Sequence, residues 1–128
     1  MRDKRGFTLI ELLMVVVIIG MLASIVGPQL SLARERTYVT VMRTDLRNFA
    51  TAEESYFYDF AIYSSDASQV QVRGFDTSKD VTLKVNEATS SGWSATTAHP
   101  GTTQNCYMFL GSAAPIGSAT SEGVVSCS

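Results

Sequence analysis

The sequence predicts an α+β chain: one long N-terminal α-helix whose C-terminal half packs on a small antiparallel β-sheet. Three observations carry this. Residues 12–33 hold no charge, a run of 22 that is long enough to cross a bilayer as a helix. The stretch that follows, to about Phe60, sets apolar residues at helical spacing among charged ones. Beyond it, short runs alternate in period two and are bounded by Gly, Ser, Asn and Pro, the pattern of half-buried strands.

A short basic leader, Met1 to Arg5, comes first. From Phe7 the helix is apolar on all faces, as befits a segment surrounded by lipid or by its own copies. Gly20 and Gly27-Pro28 are its weak points. Pro28 lacks an N–H and crowds the carbonyl of Ser24, so a kink or local break is expected there. After Ala33 the helix becomes amphipathic. Val39, Met42, Leu46, Phe49 and Ala50, then Tyr56, Phe57 and Phe60, form one side, with Arg36, Arg43, Asp45, Arg47, Glu53 and Glu54 at other positions. Ser64-Ser65-Asp66 marks the loop that ends it. Val70 and Val72 read as a first strand, and Val81, Leu83 and Val85, opposing Thr82 and Lys84, as another. Ser90-Ser91-Gly92 turns the chain into a strand at Trp93. Cys106, Met108 and Leu110 then oppose Tyr107 and Phe109. Gly111 to Gly123 reads as an irregular loop, and Gly123 to Cys127 either closes the sheet or lies across it.

Composition excludes several classes of function. Ten basic against twelve acidic residues leave no footprint for general nucleic-acid binding. His99 is the sole histidine, placed in a Thr-Ala-His-Pro-Gly loop where a solvated side chain is expected. Asp66, Asp76 and Asp80 are scattered acids without the spacing of a calcium loop. No phosphate loop, zinc spacing or nucleophile elbow is present, so no catalytic residue, metal or cofactor is expected. Cys106 and Cys127 would face an oxidising space if the apolar helix inserts with its basic leader inside. One disulfide is then expected over two free thiols, worth about 3 kcal/mol by loop-closure entropy.

Glu11 stands out at the N-terminal end of the apolar run. A carboxylate there is either functional or a flanking residue that snorkels to the headgroups. The leader and apolar run imitate a secretory signal, but the run is too long for a signal core and no Ala-x-Ala site closes it. The stretch Arg5-Gly6-Phe7-Thr8-Leu9-Ile10-Glu11, continuing through Gly20 and Pro28 to Leu30, resembles the N-terminus of a type IV prepilin. The resemblance covers about the first 30 residues.

That resemblance implies cleavage between Gly6 and Phe7 and N-methylation of Phe7. It divides the chain into a cytosolic leader (1–6), a transmembrane and polymerisation helix (7–33) and a globular head (34–128). It implies a helix able to unwind at Gly20 and Pro28 when subunits pack. The cut would create a new amine; Glu11 could approach the N-terminus of its own helix, which suits the helix dipole, or, in a filament, Glu11 of a docked subunit could pair with the amine of an incoming one, setting the register of assembly. The implied partners are identical subunits, a prepilin peptidase, the pilus assembly machinery and the inner membrane. The implied course runs from the inner membrane to an extracellular filament for adhesion or motility. A pseudopilin of a type II secretion system shares the same motif, and a minor pilin acting as a binding module is a further alternative.

Overall fold

The computed structural model describes residues 6–128, which excludes the basic leader Met1 to Arg5. The chain divides into two compact units, residues 1–34 and 35–128. One helix, α1 (Leu9–Phe60), supplies residues to both. Within the first unit its apolar side chains are exposed on every side, from Val17 at 45% to Leu9 at 83%. Helical geometry continues without interruption through Gly20 and Pro28. Pro28 still has no amide to offer the Ser24 carbonyl.

The second unit is built on the face of α1 that begins at Met42. A short helix, α2 (Ala67–Gln71), follows. The sheet then runs β1 (Thr82–Ala88), β2 (Gly92–Ala98), β3 (Asn105–Gly111) and β4 (Ser126–Cys127). Its order is β1-β2-β3-β4 with every pair antiparallel. Met42, Leu46 and Phe49 recur at i, i+4 and i+7 and are fully buried, together with Val70 and Trp93. The Phe49 ring meets Trp93 edge-on, centroids 5.1 Å apart, and Phe75 at 5.4 Å, an arrangement that suits aromatic quadrupoles.

Two sequence expectations are corrected here. Val70 and Val72 do not form a strand. They belong to α2 and its C-cap, because the Asp66 side chain caps the helix by accepting the Ser68 N–H at 3.0 Å. A spacing of two residues fits a strand, but Val70 is buried while Val72 is 86% exposed. His99, expected in solvent, is half-buried: its ring stacks on Tyr38 at 4.2 Å and its Nδ1 accepts the Gly101 N–H.

The cysteines are joined, Cys106 to Cys127, across directly paired positions of β3 and β4. Asn105 and Ser128 beside them exchange both backbone hydrogen bonds, at 2.9 and 3.0 Å. That alternation makes the cysteines the narrow, non-hydrogen-bonded pair, the site where cross-strand side chains come closest.

Asp45 and Glu53 are charged residues on the buried stripe, not on the outer face. Asp45 accepts the Ser78 N–H and hydroxyl, each at 2.8 Å, and so ties the segment before β1 to the helix. Glu53 Oε2 accepts the Ser64 N–H at 2.8 Å, and its Oε1 has no partner. Burial pushes the Glu53 carboxyl up to about 7 from 4.5, against the Ser64 hydrogen bond and helped by the Glu54 charge. Between these two values the folded chain holds a proton that the unfolded chain has lost. The contribution is therefore complete below about pH 4.5 and is lost as pH rises through about 7, by about 3 kcal/mol in all. Denaturation of the full chain in detergent at pH 5 and pH 8 checks this. Glu53→Gln should flatten the dependence and be the more stable form at pH 8; identical slopes in both proteins would overturn it.

Candidate processing and assembly site

Gly6, Phe7 and Thr8 lie outside helical geometry, and α1 begins at Leu9. The Gly6–Phe7 peptide bond is thus free of the helical ladder, as a bond must be to enter a peptidase cleft in extended form. Phe7 is 79% exposed. A Cβ added at Gly6 would meet nothing within 4 Å. Among the described residues no contact requires glycine at position 6.

Thr8 and Glu11 close the start of α1 on each other. Glu11 Oε2 accepts the Thr8 backbone N–H at 2.9 Å and the Thr8 hydroxyl at 2.7 Å. In return the Glu11 N–H reaches Thr8 Oγ1 at 3.4 Å. This is a capping box, with Thr8 as N-cap and Glu11 as the third helical residue. Such a box supplies partners to orphan donors that would otherwise face lipid, and the helix N-terminus favours the negative charge. The Thr-x-x-Glu spacing was present in the sequence as its signal. Glu11 therefore has an intramolecular role that reasoning from membrane burial alone does not find. Both of its contacts fall on one oxygen; Oε1 takes no hydrogen bond among the described residues.

Along the rest of the first unit the described residues offer an apolar surface. Its 18-residue apolar window is wholly unburied, and the helix is long and apolar enough to cross a membrane. Gly20 and Gly27 likewise have nothing within 4 Å of an added Cβ. Each costs its helix about 1 kcal/mol against alanine without an intramolecular reason. The sites named from sequence fall into three groups. Gly6, Phe7 and Glu11 come together at the helix start, while Gly20 and Pro28 lie farther along α1. Cys106 and Cys127 belong to the other unit and act there as a staple. Among the described residues no group of His, Cys, Asp or Glu could hold a metal ion.

Residues 1–27 match the prokaryotic N-terminal methylation motif. Over 104 residues the chain is 35% identical to the type IV wide pilus major component of Thermus thermophilus, covering 80% of this chain and 79% of that protein. It is 42% identical over 64 residues to the type II secretion system core protein G of Pseudomonas aeruginosa, covering 50% of this chain and 45% of that protein. It is 41% identical over 67 residues to the type IV major pilin protein of Myxococcus xanthus, covering 52% of this chain and 30% of that protein. The chain thus spans less than half the length of the last two.

Proposed function

The chain belongs to the type IV pilin family, and on that premise we propose that it is a structural subunit of a type IV pilus. It is made as a membrane precursor, cut between Gly6 and Phe7 by a prepilin peptidase, N-methylated at Phe7 and built by the assembly machinery into an extracellular filament of identical subunits. The chain is a substrate of these enzymes and is not itself a catalyst. One observation carries the reading: the first half of α1 is apolar on all faces and the chain covers none of it. Lipid covers such a surface before assembly, and other copies of the same helix cover it afterwards.

Glu11 supports the transition between the two. In the precursor the Thr8 donors accompany its charge. Cutting before Phe7 leaves both Thr8 and Glu11 in place and adds a positive amine to every subunit. Glu11 Oε1 can then receive the amine of an incoming copy while Oε2 still caps its own helix. A charge pair in low dielectric is favourable only at close range, so it selects one axial stagger. Apolar side chains such as Leu12 and Val16 tolerate sliding and supply no such selection.

A second reading has a specific observation in its favour, the match to the type II secretion core protein G. The pilus reading is preferred because the match to the wide pilus component extends over most of both chains. Deleting the gene separates them: loss of surface filaments supports the first, loss of secreted enzymes from the medium the second.

Three substitutions test the processing and register steps. Gly6→Val meets no obstruction within the fold, so full-length protein should accumulate in the membrane by mass spectrometry. Surface filaments whose subunits still begin at Met1 would refute the cleavage. Glu11→Gln keeps the hydrogen-bonding pattern of a capping box and removes the charge. Membrane-bound subunit should persist while filament yield collapses, as it should for Glu11→Ala. Normal filaments from Glu11→Gln, with loss only in Glu11→Ala, would reduce Glu11 to a helix cap.

A further inference from the structure

The second unit carries two unpaired features of opposite charge. The first is a row of arginines on the outer face of α1. Arg36, Arg43 and Arg47 stand at i, i+7 and i+11, within about 40° of one another around the helix axis. All three are exposed, on the side opposite Met42 and Phe49. The one salt bridge among the described residues joins Arg73 to Asp59, so none of the three has a carboxylate partner there. Arg43 uses only its Nε, on Cys127 Sγ at 3.2 Å. The threonines of the same face turn their hydroxyls inward: Thr40 to the Arg36 carbonyl at 2.8 Å and Thr44 to the Thr40 carbonyl at 3.0 Å. What this face presents to a partner is guanidinium.

The second feature is a groove of about 470 Å³ where Asn48, Thr51 and Ser55 of α1 face Arg73, Phe75 and Asp76. Asp76 is exposed and has no hydrogen bond or ion pair among the described residues. Arg73 does not neutralise it, because the Arg73 guanidinium is held by Asp59 and lies over the Phe60 ring, 5.6 Å from its centroid. The groove therefore offers one free carboxylate together with amide and hydroxyl oxygens, an acceptor set suited to a guanidinium.

We propose that the Asp76 groove of one subunit receives the arginine row of a second copy of this chain. This rests on the pilus reading and adds to it a contact between globular units. Three arguments favour a copy over a polyanion. The processed chain has seven basic residues against eleven acidic ones, a balance that repels nucleic acid at long range. The apolar half of α1 already requires other copies beside it. Row and groove are distinct patches that adjoin on α1, where the Thr51 hydroxyl lining the groove donates to the Arg47 carbonyl at 3.2 Å, and a row-to-groove contact repeated in one direction is head-to-tail. A head-to-tail contact that does not close on itself generates an open helical filament.

The test uses the full chain as sole subunit, with filament yield read beside membrane subunit level. Arg36→Glu with Arg47→Glu, and separately Asp76→Arg, should each cut filament yield about tenfold or more at unchanged subunit level, and all three changes together should restore it. Arg43 is left intact because it touches the disulfide. Unchanged filaments in either reversal, or no restoration in the combination, overturn the contact while leaving the pilus reading standing. If the reversals lower subunit level, Asp76→Asn and Arg36→Gln with Arg47→Gln replace them; a loss of yield there supports the contact and full yield overturns it. Normal filaments from an Arg36→Glu, Arg47→Glu protein that has lost retention on DNA would assign the row to nucleic acid and overturn the contact. No filaments from the wild-type chain would overturn the pilus reading and this contact together.

Discussion

An apolar surface that the chain does not cover governs everything else in this protein. From Leu9 to Leu32 the side chains of α1 are exposed and form no core among the described residues. Burial of such a surface is favourable by roughly 25 cal/mol per Å², so water is not its resting environment. Lipid and like helices can both meet the demand, and exchange between them costs little because both are apolar. On the register proposed above, that near-neutrality would leave the axial stop of the helix to polar details at its start, Thr8 and Glu11.

The second unit solves a different problem. It must build a core from one helical face and a four-stranded sheet, one strand of which is two residues long. It does so with aromatic packing around Phe49 and with carboxylates on the core stripe that hold loops in place. Asp45 secures Ser78 with two hydrogen bonds, and Glu53 secures Ser64 with one. The Glu53 carboxyl, with one oxygen unpartnered, is pushed up in proton affinity, as desolvation without full compensation requires.

How much of this was legible in the residues depended on whether a local pattern had a competitor. The long helix and the strands around Val85, Trp93 and Met108 were read correctly, because their periodicities admit no close rival. Val70 and Val72 fit a strand and a short helix equally well, and only the Asp66 cap separated the two. Asp45 and Glu53 are charged and so read as lying off the apolar side, although 42, 45, 46, 49, 52 and 53 mark one face of a 3.6-residue repeat. The approach of Glu11 to its own helix start is legible from its position, whereas its partner Thr8 is legible only from the Thr-x-x-Glu spacing. The Asp76 groove was beyond sequence altogether, since it depends on how segment 73–76 lies against α1.

The position of the disulfide has a mechanical consequence. A two-residue strand loaded from its C-terminal side would peel, breaking its backbone hydrogen bonds one after another at low force. Cys127 is the second residue of β4 and is bonded to its direct partner on β3. Peeling from that side frees the Ser128 pairing with Asn105 and then meets a covalent bond. For a subunit whose neighbours pull on it, the weakest edge of the sheet becomes the part that does not unzip.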